Sequence, residues 1–146
     1  MPWLRVRRRE GLKRGPRALR FTSSPGEPHV PEPIDLAEKL SAFSDLWSPK
    51  IVGSFNGHDL MVVKAKGEFN WHAHPDTDDF FLVLKGRLRI DMRDGAVTLG
   101  PGQLYVVPKG VEHRPVAEEE THLLLIEPSG TPNTGDPATA VAKVAI

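Results

Sequence analysis

There is no cysteine among the 146 residues. Disulfides, thiolate metal sites and cysteine nucleophiles are therefore excluded. Any bound metal must be held by imidazole nitrogen and by oxygen. No apolar run approaches the ~18 residues that a membrane span needs. The N-terminus is charged but has no apolar segment behind it, so it does not read as a secretory signal. A cytoplasmic location is expected. An excess charge of either sign is also missing, since 19 Lys and Arg balance 19 Asp and Glu. That balance hides an asymmetry. Residues 1–20 carry eight basic side chains and one acid, Glu10, which leaves the remainder of the chain acidic. An acidic body argues against nucleic acid as the partner.

What is present divides into three parts. Residues 1–33 hold the basic block Arg5, Arg7, Arg8, Arg9, Lys13, Arg14, Arg17 and Arg20, followed by Pro25, Pro28, Pro31 and Pro33. Too few apolar residues recur there at any period to build a core, so this reads as a disordered arm. Contact with nucleic acid or an acidic surface, or transit-peptide use, are the other readings of such an Arg-rich stretch. Residues 34–136 form the folded domain, and residues 137–146 a tail that trails off or lies along an edge. The length suits a single domain with one core.

Asp35 is placed to cap a short helix over 35–43, with Glu38 completing a capping box and Leu36, Leu40 and Phe43 on one face. Phe43 and Trp47 are expected to pack it on the body. From residue 50 the period changes to two. Strands are predicted at 51–55, 60–65, 80–84, 87–92, 97–99, 104–107 and 122–126, with hairpin turns at Asn56-Gly57 and Asp94-Gly95. Leu88, Ile90 and Met92 should face inward and Arg87, Arg89 and Asp91 outward. Short strands at this spacing, with no helical pattern between them, indicate an all-β sandwich or barrel. Residues 127–136, rich in Pro, Gly, Ser and Thr, read as a surface excursion.

The chemistry concentrates in two places. His72 and His74 stand two apart, so an extended chain points both imidazoles to one side. Pro75 forces a turn, and Asp79 opens the next strand, where its carboxylate can return to the same point. About thirty residues later, Pro108 and Gly110 turn the chain and His113 leads it back. A divalent first-row metal suits such borderline nitrogen donors with one hard oxygen. Three neutral donors and one carboxylate leave two positions open on an octahedral ion, whereas a tetrahedral zinc would be closed.

These residues resemble the two motifs of the cupin superfamily. In the first, His72-Ala73-His74 is followed by four residues, Asp79, six residues and Gly86. In the second, Gly102 is followed by five residues, Pro108-Lys109-Gly110, two residues and His113. Gly67 precedes His72 by four residues where the family has five, Asp79 stands where the family has Glu, and Ala117 replaces the final Asn. Asp78 or Asp76 could take the part of the acid. The chain looks most like the small single-domain conserved-barrel cupins. The resemblance implies a double-stranded β-helix (jelly-roll) barrel. It also implies one divalent ion, iron, manganese, nickel or zinc, on His72, His74, Asp79 and His113.

Three functions follow from this pattern. One is a metal-dependent enzyme of dioxygenase- or isomerase-like chemistry on a small polar organic substrate, with His122, Glu112 and Tyr105 as candidate proton-handling groups. The second is a non-catalytic small-molecule or sugar-binding module with a structural or ligand-orienting metal. The third is a metal-free structural protein. No residue is assigned a catalytic role. The resemblance implies a homodimer, since cupins often cover their sheet edges by pairing two protomers, with residues 45–65 as the edge.

Overall fold

A computed structural model of the chain describes Gly26 and residues 30–146. The basic block of the expected arm lies outside the described residues. Pro33–Ile146 is one compact unit. It contains a single helix, α1 (Leu36–Ser41), and eight strands: β1 (Lys50–Phe55), β2 (His58–Glu68), β3 (Asp79–Lys85), β4 (Leu88–Met92), β5 (Gly95–Leu99), β6 (Leu104–Val107), β7 (His113–Pro128) and β8 (Val144–Ala145). No helix among the described residues is long and apolar enough to cross a membrane.

The sheet runs β5-β4-β7-β2-β1-β8, and β3 joins it through β7 and carries β6 on its other side. All pairings are antiparallel except β1 with β8. This is the double-stranded β-helix that the cupin resemblance implies, and the all-β class that the alternating pattern anticipates. Asn56 and Gly57 both adopt positive φ, 48° and 72°, as the turn between β1 and β2 requires. Asp35 caps α1 by accepting from the amides of Ala37 and Glu38 at 3.0 and 3.2 Å.

β7 is much longer than the predicted strand at 122–126. Its first residues pair with β4, from Met92↔His113 to Arg89↔Val116. Its last residues lie between β2 and β3. Between these halves Glu118, Glu119 and Glu120 bulge outward, so that Ala65 pairs with Thr121 but Gly67 with Ala117. The acidic run and Pro115 break the apolar alternation, which is why the first half is illegible as a strand. A bulge bends the chain and steepens its twist, and here it lets one strand serve both walls of the barrel.

The interior is Val63, Ala65, Phe81, Val83, Leu88, Ile90, Leu99, Val107, Ala117 and Leu123, all buried. Alternation puts Val62 and Leu124 on the outer face. There Leu36, Leu40 and Phe43 around α1 cover them in a second cluster with Val52, so the centre of β2 is buried on both sides. Trp47 does not join this cluster; it packs against the interior one. The expected edge at residues 45–65 is only in part an edge: β2 is internal, and β8 covers β1 at Lys50 and Ile51, while Gly53–Phe55 pair on the β2 side alone. Among the described strands the open edges include β6, where Leu104 and Val106 are exposed.

Candidate metal centre

Three segments converge at one end of the barrel. His113 begins β7, Asp79 begins β3, and His72 lies in the connection between β2 and β3. His72 and His113 exchange both backbone hydrogen bonds, at 3.0 and 2.9 Å, so their side chains leave the same face. Their ring centroids are 4.3 Å apart. The alternate residues Trp71, Glu112 and Arg114 point the other way. Outside the barrel, the Arg93 guanidinium stacks 3.8 Å from the Trp71 ring and binds Glu112, while Arg114 binds Asp91. The His74 carbonyl accepts from the Gly110 amide at 2.8 Å, which ties the two motifs together.

The donor atoms of His72, His74, Asp79 and His113 lie within 4.8 Å of one another. Asp79 Oδ2 is 2.8 Å from His113 Nε2, 3.2 Å from His74 Nε2 and 3.8 Å from His72 Nε2. Donors bonded at about 2.0–2.2 Å to one ion stand about 3 Å apart at right angles, and these separations bracket that value. All four side chains are nearly buried, at 1–6% exposure.

The protonation pattern also fits a cation. Nδ1 of His72 faces the Asn70 carbonyl and Nδ1 of His113 faces the Val111 carbonyl, each at 2.9 Å. A carbonyl only accepts, so both Nδ1 atoms carry hydrogen and the neutral rings present Nε2 lone pairs to the centre. A lone pair and a carboxylate oxygen 2.8 Å apart require a positive charge between them. Both ring nitrogens of His74 and Asp79 Oδ1 are buried with no hydrogen-bond partner. Each such orphan costs about 1–3 kcal/mol unless something binds it. Burial disfavours the Asp79 carboxylate, yet the imidazoles of His113, His72 and His74 outweigh it and hold its pKa far below the ordinary range. Burial also disfavours the His74 imidazolium, and Asp79 outweighs it, raising that pKa. The cluster could hold a metal ion.

Of the three candidate acids, the structure brings Asp79 to the cluster. Asp78 Oδ1 accepts from the Lys109 amide at 2.9 Å, and Asp76 is exposed. The other candidates stand apart. Glu112 is outside with Arg93, and His122 binds Glu120 at 3.1 Å on the outer surface. The Tyr105 hydroxyl lies 3.8 Å from Met92 Sδ. None of the three lines the cavity beside the cluster.

That cavity, about 40 Å³, is walled by Trp47, Phe69, Phe81, Leu123 and Leu125, and its polar lining is His72, Asp79, Glu127 and Asn133. Trp47 is held there by its indole N–H, which donates to the Lys66 carbonyl at 2.8 Å, and by stacking on Phe69 at 5.1 Å. Glu127, with only 3% of its side chain exposed, corrects the reading of 127–136 as a surface excursion. Burial and the Asp79 charge push its pKa up, against the opposing Lys143 ammonium. The signal that finds it is parity: Leu123, Leu125 and Glu127 share one face of β7. Thr134 is also buried, and Gly135 packs on the Ala73 carbonyl, so this loop braces the His-x-His segment.

Comparison with known proteins gives the same picture. Residues 59–127 match the family described as Cupin domain. A cupin-2 domain containing protein from Shewanella frigidimarina is 46% identical, with TM-score 0.64 over 65% of this chain and 93% of that one. Protein NMB1881 from Neisseria meningitidis is 36% identical, with TM-score 0.61 over 67% of this chain and 100% of that one. The uncharacterized protein YdbB of Bacillus subtilis is 35% identical over 94 residues, 64% of this chain and 77% of its own length. With both motifs, the barrel and these relatives in agreement, the chain belongs to the cupin family, as a small single-domain member.

Proposed function

We propose that His72, His74, Asp79 and His113 hold one divalent cation, iron, manganese, nickel or zinc. We further propose that the protein is a metal-dependent enzyme on a small organic molecule bearing oxygen donors. The observation that carries this reading is the convergence of three buried imidazoles and one buried carboxylate, with donor atoms within 4.8 Å of one another and the Nδ1 atoms of two of the imidazoles turned to backbone carbonyls. A bound divalent ion supplies Lewis acidity at a substrate oxygen, the basis of dioxygenase- or isomerase-like chemistry. The chain's own groups set the rest. The Asn70 and Val111 carbonyls fix the imidazole tautomers and orientation. Trp47, Phe69 and Phe81 form an apolar wall beside the centre that limits access of water to it.

A second reading, a binding module without turnover, draws support from one observation: Tyr105, Glu112 and His122 all lie away from the cavity. Elemental analysis of purified protein should give about one ion per chain. His113→Ala should lower metal affinity by at least about tenfold while the barrel still folds; unchanged metal content would refute the ligand set. Substrate depletion that never exceeds one equivalent per site, across dicarbonyl and catecholic compounds with each metal, would favour the binder. The proposal includes a homodimer, paired along the free edge of β6.

A further inference from the structure

A second buried carboxylate stands close to the cluster and is not one of its donors. The β3–β7 register runs through Phe80↔Ile126, so the next residues, Asp79 and Glu127, come opposite each other on neighbouring strands. On the other side of β7, Glu127 pairs with Asp59 of β2. All three acids are buried. Residues directly opposite one another share a face of the sheet. Three carboxylates therefore lie in a row on the inner face, and Asp79 is the end that meets the histidines. Glu127 also lines the same cavity as Asp79 and His72, a space of about 40 Å³ with room for about one water.

Like charges directly opposite are destabilising, and a buried carboxylate is costly unless it is paired. Each member of the row has its own offset. Asp59 accepts from Ser129 Oγ at 2.7 Å. Glu127 Oε2 accepts from Lys143 Nζ at 2.8 Å. Asp79 has the imidazoles. Lys143 belongs to the tail that β8 fixes to β1, and it is not part of the cavity lining, so the ion pair turns its negative end toward the centre. Three carboxylates against one ammonium leave a negative excess, which a divalent cation on the histidines offsets. Positive charge on His74 responds with the same sign. Burial disfavours its imidazolium, Asp79 and then Glu127 favour it, and Lys143 opposes it.

We propose that Glu127 is a positioning residue of the metal centre: its carboxylate, held in place by Lys143, strengthens cation binding through its charge without contacting the ion. This rests on the metal reading above and extends the centre beyond its four ligands. Groups outside the ligand set contribute roughly tenfold to a hundredfold in metal affinity.

The test is competition between the full chain and a chromogenic chelator for zinc at neutral pH, with the thermal midpoint of the metal-free chain measured beside it. Glu127→Gln keeps the shape and an acceptor for Lys143 but removes the charge. It should weaken zinc binding by at least about tenfold with stoichiometry unchanged. Glu127→Asp keeps the charge and should retain most of the affinity. If Glu127→Gln fails to fold, adding Lys143→Met removes the uncompensated ammonium, and the double variant should fold and still bind zinc more weakly than the parent. A merely structural ion pair gives a different pattern, a lowered thermal midpoint with parent-like zinc affinity in every variant that folds, and that result overturns the inference alone. Equal losses in Glu127→Asp and Glu127→Gln also overturn it, since charge is then not the cause. A parent chain that takes up no zinc overturns the metal reading and this inference with it.

Discussion

At the scale of the residue, the site depends on side chains that are not ligands. Gly135 has φ +74°, and a Cβ there would lie 1.9 Å from the Ala73 carbonyl oxygen, between the two histidines of the first motif. Backbone cannot yield there as a flexible side chain would. Gly135→Ala should therefore displace the His72–His74 segment, cost about 1–3 kcal/mol of stability and weaken metal binding by at least about tenfold. Competition titration with a chromogenic chelator measures the second effect, and parent-like affinity would refute the bracing role. The same scale shows why the acid is Asp79. Asp76, Asp78 and Asp79 are equivalent by composition, but Asp79 pairs with Val107 at the inward-facing start of β3, while Asp78 is spent on the turn at Lys109.

At the scale of the element, the outer face of the β4–β7 contact holds the inner one in register. Asp91 on β4 accepts from Arg89 at 2.7 Å and from Arg114 on β7 at 2.9 Å. Hydrogen bonds from Arg89 and then Arg114 hold its pKa below the ordinary carboxylate range. A carboxyl that is more acidic folded than unfolded binds fewer protons in the native state. Its contribution is complete above the ordinary aspartate value and is lost as pH falls through the folded one. Asp91→Asn should lower the thermal midpoint at neutral pH, and the gap from the parent should close as the solution is acidified. A gap that stays constant down through the acid range would show that Asp91 contributes packing alone. Thr121 does comparable work at the bulge of β7, where its hydroxyl accepts from the Arg87 amide at 3.2 Å.

At the scale of the whole molecule, the barrel leaves apolar side chains of β6 exposed along its edge. Val106 pairs with Phe80 and Leu104 with Leu82, so this apolar surface continues from β6 onto β3. Leu104 and Val106 are 55% and 42% exposed. An exposed apolar edge strand invites pairing with another chain. Sedimentation velocity at micromolar concentration should show a dimer. Val106→Lys should raise its dissociation constant by at least about tenfold, since a charge placed in an apolar contact is costly to bury. A parent chain that sediments as a monomer would refute this pairing.

The sequence by itself determined the all-β class, the Asn56-Gly57 hairpin, the inward set Leu88 and Ile90, and the three histidines. Each of these is a local property: side-chain alternation, turn stereochemistry, or a pair two residues apart on one face. Tertiary structure alone decided the rest. It left Asp76 and Asp78 away from the histidines, joined the halves of β7 across an acidic bulge, and covered the start of β1 at Lys50 and Ile51 with β8. It also moved Glu127 from an apparent surface loop into the cavity, where Lys143 meets it from 16 positions further along the chain. Contacts of that kind depend on how the barrel closes, and no period or spacing within a single segment encodes them.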